Sequence, residues 1–329
     1  MAHARLRRSP CCSPPRVLAG LLAGLAMSAG CAAPFAYITN QGSHDVSVID
    51  LATDTVVASV PVGRSPAGVV ASSGGGRVYV SNPDSRTISV IDMRRQSVVA
   101  TWPAGDGPVG LDASPDGRLL AVADWFGQRL LLIDTLAPER AYGEVPLGRA
   151  PAGVAVAPDG RTVYVAERDD DRIAVVDVVQ RRVLGRIPAG QHPFALLLDP
   201  ERDRLYALNV MSNDVTVIDT RQRTGIATVP VGRAPYGAAL AAGGELLYIT
   251  NQHADTVSVI DTRHLAVVKT LDGFGYPEGV AAHADRVYVV NWMDDNVSVL
   301  DARSGRTLTH IATGRNSRGF GSFIGNPVP

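Results

Sequence analysis

Two markers recur along the chain at one interval, and they constrain the fold more than any other feature. An aspartate ends a short β-branched run at Asp50, Asp92, Asp134, Asp177, Asp219, Asp261 and Asp301, with successive spacings of 42, 42, 43, 42, 42 and 40 residues. The residues that close the preceding apolar run are Asn40, Asn82, Asp124, Glu167, Asn209, Asn251 and Asn291, and they keep the same intervals. Two markers in step define seven homologous units.

Each unit reads as four short strands, here called a to d. In the unit opening at Pro151, the pattern predicts strand a over 152–157, b over 162–166, c over 173–177 and d over 183–187. The runs are β-branched and bounded by turn residues, and no stretch carries a helical period long enough to compete. The expectation is an all-β, seven-bladed β-propeller with four antiparallel strands per blade, because a β-helix has much shorter coils and a leucine-rich solenoid a shorter, partly helical repeat. The first unit begins at strand b, with Ala36-Tyr37-Ile38-Thr39-Asn40. A spare opening follows the seventh unit, from Gly314 to Ile324, with Ser317 standing where other units have proline. The C-terminal strand is therefore expected to complete the first blade and remove the exposed inner edge.

The 33 glycines and nine tyrosines, set against five methionines, suit a turn-rich β protein. A net charge of −1 gives no reason to expect a nucleic-acid partner, and a monomer is expected. Residues 1–34 read differently from the rest, as an export signal and short linker ahead of a single propeller domain over 35–329. Arg5, Arg7, Arg8 and Arg16 precede an apolar run at 17–29 that ends in small residues and is too short for a comfortable membrane span. The expected location is periplasmic or at the cell envelope. Ser28-Ala29-Gly30-Cys31 has the form of a lipobox, which would make a lipid on Cys31 the one membrane attachment; ordinary signal cleavage near Ala32 is the alternative. Cys11, Cys12 and Cys31 all fall in this segment, so the domain is expected to hold no disulfide, no cysteine-ligated metal and no cofactor.

Most recurring residues are explained by folding. The repeated aspartates suit the c–d turn, where a carboxylate accepts backbone N–H groups two residues on. Tyr37, Tyr79, Tyr164, Tyr206, Tyr248 and Tyr288 share one position of strand b, with Ala121 the exception, and suggest a ring packed between blades. Pro-Asp-Gly at 115–117 and 158–160 fits tight turns. Units such as Leu247-Tyr248-Ile249-Thr250-Asn251 followed by Val257-Ser258-Val259-Ile260-Asp261 resemble the YVTN-type β-propeller repeat family, over about residues 35 to 324. That resemblance implies an exported or surface-associated bacterial or archaeal propeller, in a family with few defined activities. Related seven-bladed propellers include lactonases, haem d1-type domains and heavy chains of quinoprotein amine dehydrogenases.

A binding site is sought where the copies differ. Chain topology places the d–a and b–c loops on one face, where strand a lines the central channel. The residue after the Gly-x-x-Pro proline runs Ala67, Val109, Ala152, Phe194, Tyr236, Glu278 and Arg318 around the ring. Phe194 and Tyr236 would form an apolar wall, with Glu278 and Arg318 either a charged corner of a ligand site or a structural ion pair. Trp125 and Trp292, followed by Phe126 and Met293, occupy equivalent b–c loop positions as candidate ligand or partner contacts. Arg64, Arg149, Arg233 and Arg315 recur in the d–a loops and are expected to form salt bridges with b–c loop acids. The acidic loop at 167–172 reads as a solvated charged loop rather than a calcium site.

The chain has no Gly-x-Ser-x-Gly elbow, no His-Glu-x-x-His and no phosphate-cradling glycine loop. His44, His192 and His253 fall on the loop face, and His192, Glu278 and Arg318 are the acid–base and arginine groups a lactonase would need. The leading expectation is a non-enzymatic exported binding protein that uses its loop-rich face for a small molecule or a protein. The alternative is a periplasmic lactonase-like hydrolase, or an accessory of a quinone- or haem-dependent oxidation system.

Overall fold

The computed structural model describes residues 34–139 and 143–327; the segment expected to be an export signal, up to residue 33 and including Cys31, lies outside the described residues. Seven antiparallel sheets form a seven-bladed β-propeller. Blade 4 consists of Pro151–Val156, Thr162–Glu167, Arg172–Asp177 and Arg182–Pro188, close to the strands the pattern predicts. Strands b and c are almost wholly buried, whereas strand d is the outer, largely exposed edge. The apolar core lies between blades: one cluster joins Tyr37 and Val48 of blade 1 to Val78 of blade 2 and to Tyr288 and Val299 of blade 7. Among the described residues no helix is long and apolar enough to cross a membrane.

Blade 1 is closed by the C-terminal segment. Its strands Phe35–Asn40, Asp45–Asp50 and Thr55–Pro61 are joined by two short pieces, Ser317–Arg318 and Ile324–Gly325, both antiparallel to Phe35–Asn40. The closing strand is thus split. Between its pieces the chain turns inward and bonds to the inner strand of blade 2, where Val69 and Ala71 donate backbone N–H groups to the Phe320 and Ser322 carbonyls. Gly321, with φ of 121°, supplies a backbone shape that other residues rarely adopt.

The recurring polar residues hold the blades as expected, with one refinement. All seven strand-c aspartates accept backbone N–H groups of the following turn, as Asp50 does from Ala52 and Asp301 from Ser304. Tyrosine hydroxyls reach the c–d turn of the next blade: Gln96 donates to Tyr37, Tyr248 donates to the Ala302 carbonyl, and Tyr288 meets Asp54 across the closure. The asparagines ending strand b donate to a strand-c hydroxyl, as Asn40 does to Ser47 and Asn251 to Ser258. Where Asp124 and Glu167 replace asparagine, Leu131 and Ala174 replace that hydroxyl, and arginines enter instead. Arg129 pairs with Asp124, and Arg172 and Arg186 with Glu167, so the buried acid never stands alone.

The inner strands pack through glycines. A Cβ at Gly110 would collide with the Ala152 carbonyl of the next blade, and one at Gly279 with the Gly319 carbonyl. Gly110→Ala is accordingly expected to destabilise the domain by about 1–3 kcal/mol, the usual range for overpacking. Urea unfolding would check this, and an unchanged midpoint would mean that the inner strands can spread freely.

Candidate functional site: the channel mouth

A β-bulge at the start of the inner strands aims side chains into the channel. In blade 5, Pro193 pairs with Asn209, and pairing resumes at Leu196 with Ala207, so one extra residue is accommodated. Blades 6 and 7 repeat the irregularity after Pro235 and Pro277. Phe194, Tyr236 and Glu278 occupy these bulges, which re-aim side chains in the way such irregularities commonly do. Together with Trp125, Tyr276, Trp292, Arg318 and Phe320 they line a cavity of about 560 Å³ that opens on the loop face.

The mouth is asymmetric in the way the ring order implies. Phe194 packs on Tyr236 and Phe320 with centroid separations of 4.7 and 4.8 Å, and Trp125 lies 6.2 Å from Phe194. A second aromatic group joins Tyr276 to Trp292 at 5.5 Å. Beside them Arg318 clasps Glu278, with Nε donating to Oε2 at 2.6 Å and Nη2 to Oε1 at 2.9 Å. Arg318 Nη2 also donates to the Tyr236 hydroxyl at 3.3 Å, and Gln252 Nε2 donates to Glu278 Oε1 at 2.8 Å. Burial works against the charged guanidinium, but the neighbouring Tyr236 and Glu278 outweigh it and push its pKa up. Burial also pushes the Tyr236 phenol well above its ordinary value. Arg318 therefore stays charged and Tyr236 neutral across the physiological range.

His192 does not join this pair. Its backbone N–H donates to Asp171, its ring Nδ1 has no hydrogen-bond partner, and it does not line the mouth. Trp125 and Trp292 do line the mouth and are half-buried, whereas Phe126 and Met293 stand exposed at 72% and 63%. The d–a arginines reach the b–c loops but bond mainly to backbone carbonyls: Arg64 to Asp84, Arg233 to His253 and Arg315 to Gly42. Arg149 alone of the four forms the expected salt bridge, with Asp170. In the 167–172 loop Glu167, Asp169 and Asp170 are taken up by arginines and Asp171 by the His192 N–H, and no group of three or more His, Cys, Asp or Glu among the described residues could hold a metal ion.

Phe320, Tyr236 and Glu278 also line a second, deeper cavity of about 240 Å³. Asp112 faces it, accepting backbone N–H groups from Ala113 and from Val156 of the next blade. Burial pushes its carboxyl up to about 6, against those two hydrogen bonds. The folded protein thus holds the Asp112 proton more tightly than the unfolded chain does. Ionisation penalises the fold in full above about pH 6, and the penalty fades as pH falls toward the unfolded value near 4. Asp112→Asn is expected to stabilise the domain by roughly 2 kcal/mol at pH 7.5 and by almost nothing near pH 4. Thermal melts at both pH values would check it; equal gains at both would exclude the titration.

Sequence reasoning did not single out Phe320, Tyr276, Gln252 or Asp112. Phe320 lies in the spare opening, beyond the seventh unit. Tyr276 precedes a proline where other blades carry Ser65, Ala150 or Ala234, a substitution visible in the aligned copies. Asp112 stands where the other inner strands have Val70, Ala155, Leu197, Ala239 and Ala281, and a lone acid in an apolar column was the available signal.

Comparison with known proteins agrees with the fold. A family model described as "Lactonase, 7-bladed beta-propeller" matches residues 127–237, and one described as "YNCE-like beta-propeller" matches residues 70–161. These matches support a β-propeller family without singling out the YVTN-type repeat. No curated protein sequence matches the chain. Similar solved structures include the Kuenenia stuttgartiensis hydrazine synthase, at 21% identity over 86% of this chain and 99% of that one, with a TM-score of 0.70. A functionally unknown protein from Desulfotomaculum acetoxidans DSM 771 is 16% identical over 89% of this chain and 99% of that one, with a TM-score of 0.77. The dihydro-heme d1 dehydrogenase NirN in complex with DHE is 17% identical over 93% of this chain and 78% of that one, with a TM-score of 0.67. At these identities the likeness concerns the fold alone.

Proposed function

We propose that the chain is an exported, non-enzymatic propeller that binds a small molecule in the mouth of its channel. The observation that carries this reading is the buried Arg318–Glu278 pair set against the aromatic rings of one arc of the mouth. A buried ion pair rarely improves stability over a well-packed apolar pair, and Ala67, Val109 and Ala152 fill the same repeat position elsewhere. Departures from the local rule of a repeat concentrate where a protein binds. Export is supported by the arginine-then-apolar layout of residues 1–34, and binding at an outer surface suits a lipid on Cys31 or a freely released domain.

Two of the three tryptophans, Trp125 and Trp292, line the mouth, so a ligand there should alter intrinsic fluorescence. A metabolite-sized compound panel titrated against the protein tests the reading. Binding signals that vanish in both Trp125→Phe and Trp292→Phe support it, and a panel without any response counts against it.

A lactonase-like hydrolase is the second reading, favoured by the family-model match over 127–237. That match includes His192, Phe194 and Tyr236 and ends before Glu278 and Arg318. Both Glu278 oxygens are engaged, so acid–base work by this carboxylate would require the pair to open. Lactone hydrolysis above the buffer rate, lost in Glu278→Gln, would displace the binding reading.

A further inference from the structure

The polar groups at the floor of the mouth point to one end of the ligand. Every hydrogen-bonding position of Glu278 that faces a neighbour is in use: Arg318 Nε takes Oε2, while Arg318 Nη2 and Gln252 Nε2 share Oε1. Oε2 keeps one unused acceptor position, but the side chain is only 1% exposed, which closes it to a ligand cation. Arg318 is different. Its Nε and Nη2 are engaged, but Nη1 has no hydrogen-bond partner among the described residues, and the side chain is 19% exposed toward the mouth. The Tyr236 hydroxyl accepts from Arg318, which leaves its own proton available beside that nitrogen. The floor therefore offers donors, the N–H groups of Arg318 Nη1 and the Tyr236 O–H, which the two oxygens of a carboxylate can accept.

Above the floor, the walls are rings. Trp125 and Phe194 form one pair of contacting rings in the lining and Tyr276 and Trp292 another, which favours a flat, apolar body. The acid at the rim, Asp84, is exposed and already accepts the Ser65 hydroxyl at 2.6 Å, so it gives little hold on a cation.

We infer that the ligand of the mouth is an aromatic carboxylate, seated with its carboxylate on Arg318 Nη1 and the Tyr236 hydroxyl and its ring against the aromatic walls. This rests on the reading of the mouth as a small-molecule site. The probes are 2-naphthoate, 2-naphthylmethanol and 2-naphthylmethylamine, titrated calorimetrically against the purified protein. Naphthoate should bind at least tenfold more tightly than the alcohol and the amine. In the paired variant Glu278→Met with Arg318→Met, that preference should disappear while ring binding persists. Trp125→Ala, in a half-buried loop residue, should weaken all three probes together.

The outcomes separate the two claims. If none of the three probes binds, the small-molecule reading of the mouth falls. If the amine or the alcohol binds as tightly as naphthoate, the carboxylate assignment is overturned and the reading of the site stands. A carboxylate preference that survives the paired variant, or binding untouched by Trp125→Ala, would place the probe elsewhere and overturn the assignment too. Should the paired variant not fold, Tyr236→Phe takes its place, and an unchanged preference there overturns the proposed seat.

Discussion

Deleting residues 315–329 is expected to unfold the whole ring rather than loosen one blade. The deletion removes both pieces of the closing strand and leaves Phe35–Asn40 as an open inner edge. It also removes Phe323, fully buried in the cluster that joins blades 7, 1 and 2, and Phe320, which packs against Phe194 and Tyr236. Phe323→Ala isolates the packing part of this effect, at about 3–5 kcal/mol. A domain of this size has a total stability on the order of 5–15 kcal/mol, so the deletion should exceed what the fold can lose. Circular dichroism and thermal melting give the readout. A truncated protein that melts cooperatively near the temperature of the full chain would show that the first blade does not need its fourth strand.

Glu278→Ala is expected to cost about 3–5 kcal/mol, because it leaves the buried Arg318 guanidinium with only the Tyr236 hydroxyl for company. Replacing both partners, with Glu278→Met and Arg318→Met, should restore most of that loss, since an apolar pair of similar volume suits the surrounding rings. The comparison separates two roles. If the pair exists for stability, the double variant remains as damaged as the single one. If it exists for recognition, the double variant is nearly as stable as the parent and has lost its ligand selectivity. Denaturant midpoints for the two single variants and the double variant form the required cycle.

The architecture was legible because repetition averages out local ambiguity. A single run such as Val257-Ser258-Val259-Ile260-Asp261 could be many things, but seven copies in step leave few alternatives. The ring order alone brings Glu278, Arg318, Phe194 and Tyr236 into one arc, because neighbouring copies must be neighbouring blades. His192 shows where that reasoning stops. Being on the loop face was deduced correctly, but a loop residue with φ of 54° has its side chain direction set by the local backbone, which the repeat does not encode. The d–a arginines mark a similar limit: the loop they would reach was readable, whereas the choice between a carboxylate and a carbonyl depended on ångström-scale placement. Phe320 was hidden for a different reason. It sits in the break of the closing strand, a split with no counterpart in the other six blades, so no equivalent position announced it.

The pairing of Phe35 with Gly325 has a kinetic consequence. It joins the two ends of nearly the whole described chain, and the loop it closes is the longest among the described residues. Each of the other blades is a local meander that can form from consecutive residues, but the first must wait for the last strand to arrive. Contacts this distant in sequence slow folding, since the chain loses its freedom before the bond rewards it. Until that moment the ring is an open arc with one unsatisfied inner strand, competent to capture a strand from another molecule. Dilute, slow refolding should therefore favour the closed monomer, and crowded, rapid refolding should favour rings joined through a borrowed strand.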